Sequence, residues 1–222
     1  MARFFLVLLA SLPPLFYIKL YKFKTPSQVI IYGFLGGLFS CLSLIIFKSL
    51  LLPEAVNFPS KETLTTTLFI SFIEAGLLEE IFKNIFFVLG VKLLNNKNKF
   101  DFDLNPYFYV VLGASVGLGF GIFENVSYAL NPELGFLNNI WGRLYTTIPA
   151  HMIMNIIFSF LYAQKQNLFI CLSGAVLFHA IYDFFALPSN LLGDILVRGT
   201  LVFGFGLIIY MGKTLINKSE DI

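Results

Sequence analysis

Gly76-Leu77-Leu78-Glu79-Glu80-Ile81-Phe82-Lys83-Asn84 places two adjacent carboxylates and a lysine inside an apolar run long enough to cross a bilayer. A charged side chain at the centre of a membrane helix costs about 3 kcal/mol on insertion scales. Three of them in so short a stretch are costly, and a cluster of that cost points to function. On a helix, Glu79 and Glu80 lie about 100° apart, with Lys83 about 40° from the first and about 60° from the second. One ammonium so placed reaches either carboxylate but fully satisfies only one, which makes the two acids unequal. The alternative reading is a structural ion pair that locks two helices.

The surrounding composition fixes the solvent. Of 222 residues, 57% are hydrophobic and only 13% charged, and the mean hydropathy is +0.80. A soluble domain carries about 25% charged residues, so the chain reads as an all-α, polytopic transmembrane helix bundle. At about 20 residues per crossing, residues 1–222 hold about seven spans, within a range of six to eight, as a single integral membrane domain. The formal charge of +2 argues against nucleic acid as a partner. Cys41 and Cys171 sit in apolar runs and read as reduced core residues. The N-terminal Arg3 and the apolar run after it have the look of a signal peptide, but no small-residue cleavage site follows. A retained, proline-kinked first span is expected, with cleavage as the alternative.

Spans are expected near 3–18, 27–50, 63–93, 107–130, 139–163, 167–187 and 190–213. The third is too long for one straight crossing. Alternate connections hold Lys19, Lys22, Lys24, Lys92, Lys97, Lys99, Lys165, Lys213 and Lys218. The opposite side holds Arg3, Lys48, Lys61 and Arg143. That bias puts the N-terminus outside and the C-terminus in the cytoplasm, with the protein integral to the cytoplasmic (inner) membrane.

Other polar residues interrupt these runs. Glu124 and Asn125 follow a glycine-rich segment in the fourth span, and Phe120 shares a face with Glu124. The fifth carries His151 and Asn155 at i, i+4, with Arg143 two turns earlier and Pro149 between. The sixth carries His179 and Asp183 at i, i+4. These are the only two histidines in the chain, and each has a polar residue one turn later. Glu74 lies about 180° from Lys83 on an α-helix and is left out of the site. Counted from the span ends, Glu80, His151, His179 and Glu124 fall between mid-membrane and the outer leaflet. A polar chamber between spans 3, 4, 5 and 6, opening outward, would hold them all.

Carboxylates, two histidines and a lysine, with no Ser or Cys beside a base, point to hydrolysis by activated water. In one mechanism His151, His179 and Glu124 or Glu80 bind a zinc-like ion while another Glu is the base. In the other no metal takes part, a Glu of the pair deprotonates water, and the histidines stabilise the oxyanion. Glu79, Glu80, Glu124, His151 and His179 are the candidate catalytic residues, supported by Lys83, Asn125, Arg143, Asn155 and Asp183. Midplane Glu, His and Asp also mark proton or ion pathways, so a coupled transporter is one rival, and a non-catalytic membrane scaffold is another.

Four motifs in order carry a resemblance: Glu79-Glu80-x-x-Lys83, Phe120-x-x-x-Glu124-Asn125-x-x-Tyr128, Arg143 leading to His151, and His179-x-x-x-Asp183. Over about residues 10 to 212 the chain resembles the PrsW family of membrane-embedded proteases, within the wider group of CAAX proteases and Abi-type proteins. The prenyl-CAAX enzymes carry a differently spaced basic residue, which sets this chain apart from that branch. The resemblance implies proteolysis of a membrane-anchored substrate near its extracytoplasmic side, such as an anti-sigma factor.

Overall fold

A computed structural model describes residues 26–51, 63–96, 101–102, 105–130, 136–187 and 191–220. The expected first span, with Arg3, Lys19, Lys22 and Lys24, lies outside them, as do Lys61, Lys97 and Lys99. Among the described residues every regular element is a helix. In chain order these are α1 (Ser27–Leu51), α2 (Leu64–Phe69), a π-helical segment (Ile70–Glu79), α3 (Glu80–Asn96), α4 (Tyr107–Leu130), α5 (Phe136–Ala163), α6 (Leu168–Ala186) and α7 (Leu191–Glu220).

Five of these helices are long and apolar enough to cross a membrane: α1, Tyr107–Tyr128 in α4, Arg143–Ala163 in α5, α6, and Leu191–Leu215 in α7. They match five of the expected spans, so the protein is an integral membrane protein. The expected third span is helical throughout, yet it is divided among α2, the π segment and α3. None of these pieces reaches 18 residues. The division answers its excess length, because i→i+5 bonding packs more residues into each turn.

Local chemistry sets several boundaries. The Thr63 side chain caps α2 by accepting from the Thr66 amide at 3.2 Å, and Asn167 caps α6 by accepting from the Ile170 amide at 2.9 Å. Between α5 and α6 the chain reverses at Lys165, whose φ of 59° lies in the left-handed region. Pro149 sits inside α5 without dividing it.

Helices α4 and α5 form the centre, with α1 and α5 the main partners of α4. Glycine makes these contacts possible. A Cβ on Gly119 would collide with the Phe34 carbonyl of α1, and one on Gly117 with the His151 carbonyl of α5. Without lipid-excluding force between helices, such close backbone approach is what packs them. The core holds Ile153, Met154, Ile157, Phe178 and Leu201 on one side, and Phe87, Leu112, Val116 and Phe158 on the other. In contrast, α7 shows Leu192, Val202, Phe203 and Tyr210 on its outer face. Cys41 and Cys171 are free and buried, as their apolar settings suggest.

Candidate active site

The junction of the π segment and α3 positions the two adjacent glutamates. Glu79 ends the wide turns and Glu80 begins the α-helix. Isolated π turns recur at functional sites, and here they set how Glu79 sits relative to everything after it.

Glu80 is fully buried and heavily engaged. Its Oε1 contacts both the Lys83 ammonium and Nδ1 of His179, the latter at 2.8 Å. Its Oε2 accepts from Nδ2 of Asn84 at 3.4 Å, and the same amide donates to the Glu80 main-chain oxygen at 2.7 Å. Lys83, also fully buried, reaches Nδ1 of His151 at 3.1 Å and stands over the Phe120 ring, 4.7 Å from its centroid. On the far side of that imidazole, Nε2 meets Oε2 of Glu124 at 2.9 Å. An ammonium can only donate and a carboxylate can only accept, so the tautomer with its hydrogen on Nε2 satisfies both contacts.

Arg143 extends the chain of contacts. One guanidinium nitrogen donates to Oε1 of Glu124 and Nε donates to Oδ1 of Asn125, each at 3.1 Å. The guanidinium also stacks over Tyr128 at 3.9 Å. At the opposite end, Nε2 of His179 faces Oδ2 of Asp183 at 3.2 Å and Oε2 of Glu79 at 3.8 Å. The two imidazoles meet edge to face with centroids 5.4 Å apart. One continuous polar chain thus runs Asp183–His179–Glu80–Lys83–His151–Glu124–Arg143–Asn125 through α3, α4, α5 and α6.

Glu79 is the exception. Its Oε2 is buried and has no hydrogen-bond partner. Glu79, His151 and His179 can each offer one ligand atom within 4.8 Å of the others, a grouping able to hold a metal ion. The carboxylates expected as ligands, Glu124 and Glu80, are engaged by Arg143 and Lys83 instead, which leaves Glu79 as the available oxygen donor.

A family model for PrsW family intramembrane metalloproteases matches residues 25–212. The chain belongs to this family. No curated protein and no solved structure matches it. Membership supports a membrane protease, and a buried Glu/His/His group is present among the described residues.

Nine of the ten residues singled out from sequence meet in this polar cluster through their side chains. Asn155 does not: its Nδ2 donates to the main-chain oxygen of His151 at 3.1 Å and never meets the ring. The imidazole finds its partners on other helices. Glu74 stands apart and pairs with Lys48 of α1 at 3.3 Å. Its expected 180° offset assumed α geometry, and the π turns alter that phase, but it remains outside the network. Asn84 was missed from sequence, although it stands one α-turn after Glu80.

Proposed function

We propose that this PrsW-family chain is an endopeptidase that hydrolyses a protein anchored in the same bilayer, near the extracytoplasmic side. An anti-sigma factor is the type of substrate that fits. The N-terminus lies outside and the C-terminus in the cytoplasm, as the lysine bias suggests. The observation that carries the reading is Oε2 of Glu79, a buried carboxylate oxygen with no partner beside two histidines. Buried polar atoms are ordinarily satisfied, so this one is placed for something that arrives.

Charge counting supports a cation there. Four carboxylates (Glu79, Glu80, Glu124 and Asp183) face two permanent cations (Lys83 and Arg143), an excess of two negative charges. Uncompensated charge in a low-dielectric interior is expensive, and a divalent ion offsets an excess of that size. Two imidazoles and a carboxylate are also a common catalytic zinc set. The flanking carboxylates fit as well: Glu80 on Nδ1 of His179 and Glu124 on Nε2 of His151 orient each ring through its other nitrogen. Glu79, His151 and His179 would hold the ion, which supplies Lewis-acid activation of water and carbonyl. The remaining residues position it: Glu80 holds His179 through Nδ1, Asn125 holds Arg143, and Arg143 holds Glu124 against His151, while Asp183 flanks the nitrogen of His179 that would face the ion.

One observation favours a metal-free second reading. Lys83 already places a cation against Nδ1 of His151. In that case Glu79 takes a proton from water, the water oxygen adds to the scissile carbonyl carbon, and the histidines stabilise the oxyanion. The C–N bond then breaks as the proton passes to the leaving amine.

Purified protein, its metal content, and cleavage of a single-span substrate with and without chelator decide between the two. The first reading expects about one bound ion per chain and loss of cleavage on chelation, restored by zinc. Cleavage by metal-free protein that chelator leaves intact rejects it in favour of the second. In both, Glu79→Gln lowers turnover by about 10²- to 10⁴-fold, and full activity in that variant removes Glu79 from the chemistry.

A further inference from the structure

His151 is held through both ring nitrogens. Its Nε2 donates to Oε2 of Glu124 at 2.9 Å, and its Nδ1 accepts from the Lys83 ammonium at 3.1 Å. In this tautomer the nitrogen that bears the hydrogen has no lone pair to give. The lone pair that the ring can offer a metal is therefore the one on Nδ1, and Lys83 already stands on it. Two cations cannot share one lone pair, and at such short range they repel each other. A metal ion on His151 thus requires the ammonium to step aside.

Lys83 can do so without losing its compensation. Its Nζ pairs with Oε1 of Glu80, stands 4.7 Å from the Phe120 ring centroid, and comes to 4.0 Å from Sδ of Met154. None of these three partners belongs to the Glu79, His151 and His179 group. Giving up Nδ1 leaves the ammonium beside a carboxylate and over an aromatic face, both favourable for a buried cation. Its flexible four-carbon stem suits a short displacement. The ring need not move with it, because Glu124 keeps Nε2 and Arg143 keeps Glu124. Arg143 itself is differently placed: its hydrogen bonds go to Glu124 and Asn125, and not to either imidazole.

We propose that Lys83 is a built-in competitor for the metal ligand atom of His151: its ammonium holds Nδ1, and yields it by withdrawing onto Glu80 and Phe120 when an ion is bound. The inference deepens the metal-dependent reading above and rests on it. The lysine has two tasks under this proposal. It keeps the ring presented and the surrounding carboxylates partly neutralised before loading. It also makes binding weaker than the same three ligands would give unopposed, because only the fraction of molecules with a free Nδ1 is competent.

The test uses the full-length protein in detergent, with zinc as the probe. His151 and His179 are the only rings to assign in a nitrogen NMR spectrum of isotope-labelled histidine. Zinc is expected to shift the Nδ1 resonance of His151 while Nε2 keeps its hydrogen. Zinc bound through Nε2, or bound with the Nδ1 resonance unmoved, overturns the proposal. Lys83→Met is expected to bind zinc at least about tenfold more tightly than wild type. Arg143→Gln removes a cation of the same cluster that donates to neither ring, and its zinc affinity should stay near wild type. Equal tightening in both variants assigns the effect to charge alone and overturns the competition. Should Lys83→Met fail to fold, the wild-type spectrum decides by itself. Zinc bound with the expected signature, but no cleavage of any substrate, overturns the peptidase reading and leaves the role of the lysine. No zinc bound by either wild type or Lys83→Met overturns this proposal together with the metal-dependent reading.

Discussion

Lys48 and Glu74 form a two-membered ion pair between α1 and the π segment, while a few residues on Glu80 enters a network of eight side chains drawn from four helices. Both clusters put a carboxylate and an ammonium among apolar helices. The first neutralises itself, one charge against one, and uses one oxygen of Glu74. The second carries more carboxylates than permanent cations; each cluster leaves one buried glutamate oxygen without a hydrogen-bond partner, on Glu74 and on Glu79, but that of Glu79 stands beside two histidines. A self-contained pair suits a contact between helices, whereas unbalanced, oriented charge suits a site that waits for a cation, a water or a substrate. The difference lies in the surplus and in burial, since Glu80 and Lys83 are fully buried while Lys48 and Glu74 are only partly so.

Three substitutions would break or sharpen that contrast. The largest effect is expected from Lys83→Met. Removing one member of a buried pair leaves its partner's charge uncompensated, at about 3–5 kcal/mol. The variant should melt well below wild type in detergent and lose cleavage, and an unchanged melting temperature would show that Glu80 has other means of compensation. Next comes Gly117→Ala, which pushes a methyl into the His151 carbonyl. Overpacking of this kind costs about 1–3 kcal/mol. Because α5 must shift at His151 itself, turnover should fall more than stability does. A variant that loses stability and keeps full turnover per folded molecule would uncouple the α4–α5 contact from the site. Smallest is Lys48→Met, whose partly exposed pair contributes about 1 kcal/mol or less. Its melting temperature should drop slightly and its cleavage stay near wild type. Cleavage lost as fully as in Lys83→Met would erase the distinction between the two clusters.

Much of this was legible before any coordinates. Hydropathy runs placed five spans to within a few residues, since a helix in lipid must be apolar over a set length and its connections must not. Histidine scarcity drew attention to His151 and His179, and the i, i+4 spacing of His179 and Asp183 gave a true contact. The same spacing misled at His151, where Asn155 bonds the backbone. An i, i+4 pattern shows that two side chains share a face. It does not show whether a better partner waits on another helix. Glu124 illustrates the converse: its contacts with Arg143 and His151 are 19 and 27 residues away in sequence, and no local spacing encodes them. Asn84 escaped notice for a third reason, because its place in the site depends on a buried Glu80 for its amide to hold.

The sequence by itself determined the solvent, the helical class, five of the spans and which polar residues interrupt the apolar runs. Each of these follows from local composition and from the price of placing charge in lipid. It also made Glu79 and Glu80 unequal, since one lysine cannot satisfy two carboxylates at once. Only the tertiary structure decided which of them is left free. That choice depends on where π winding gives way to α winding, on His179 arriving from α6 to meet Glu80, and on glycines that let α4 bring Glu124 against His151. These are contacts between distant parts of the chain, set by how the helices pack, and no pattern within a single helix contains them.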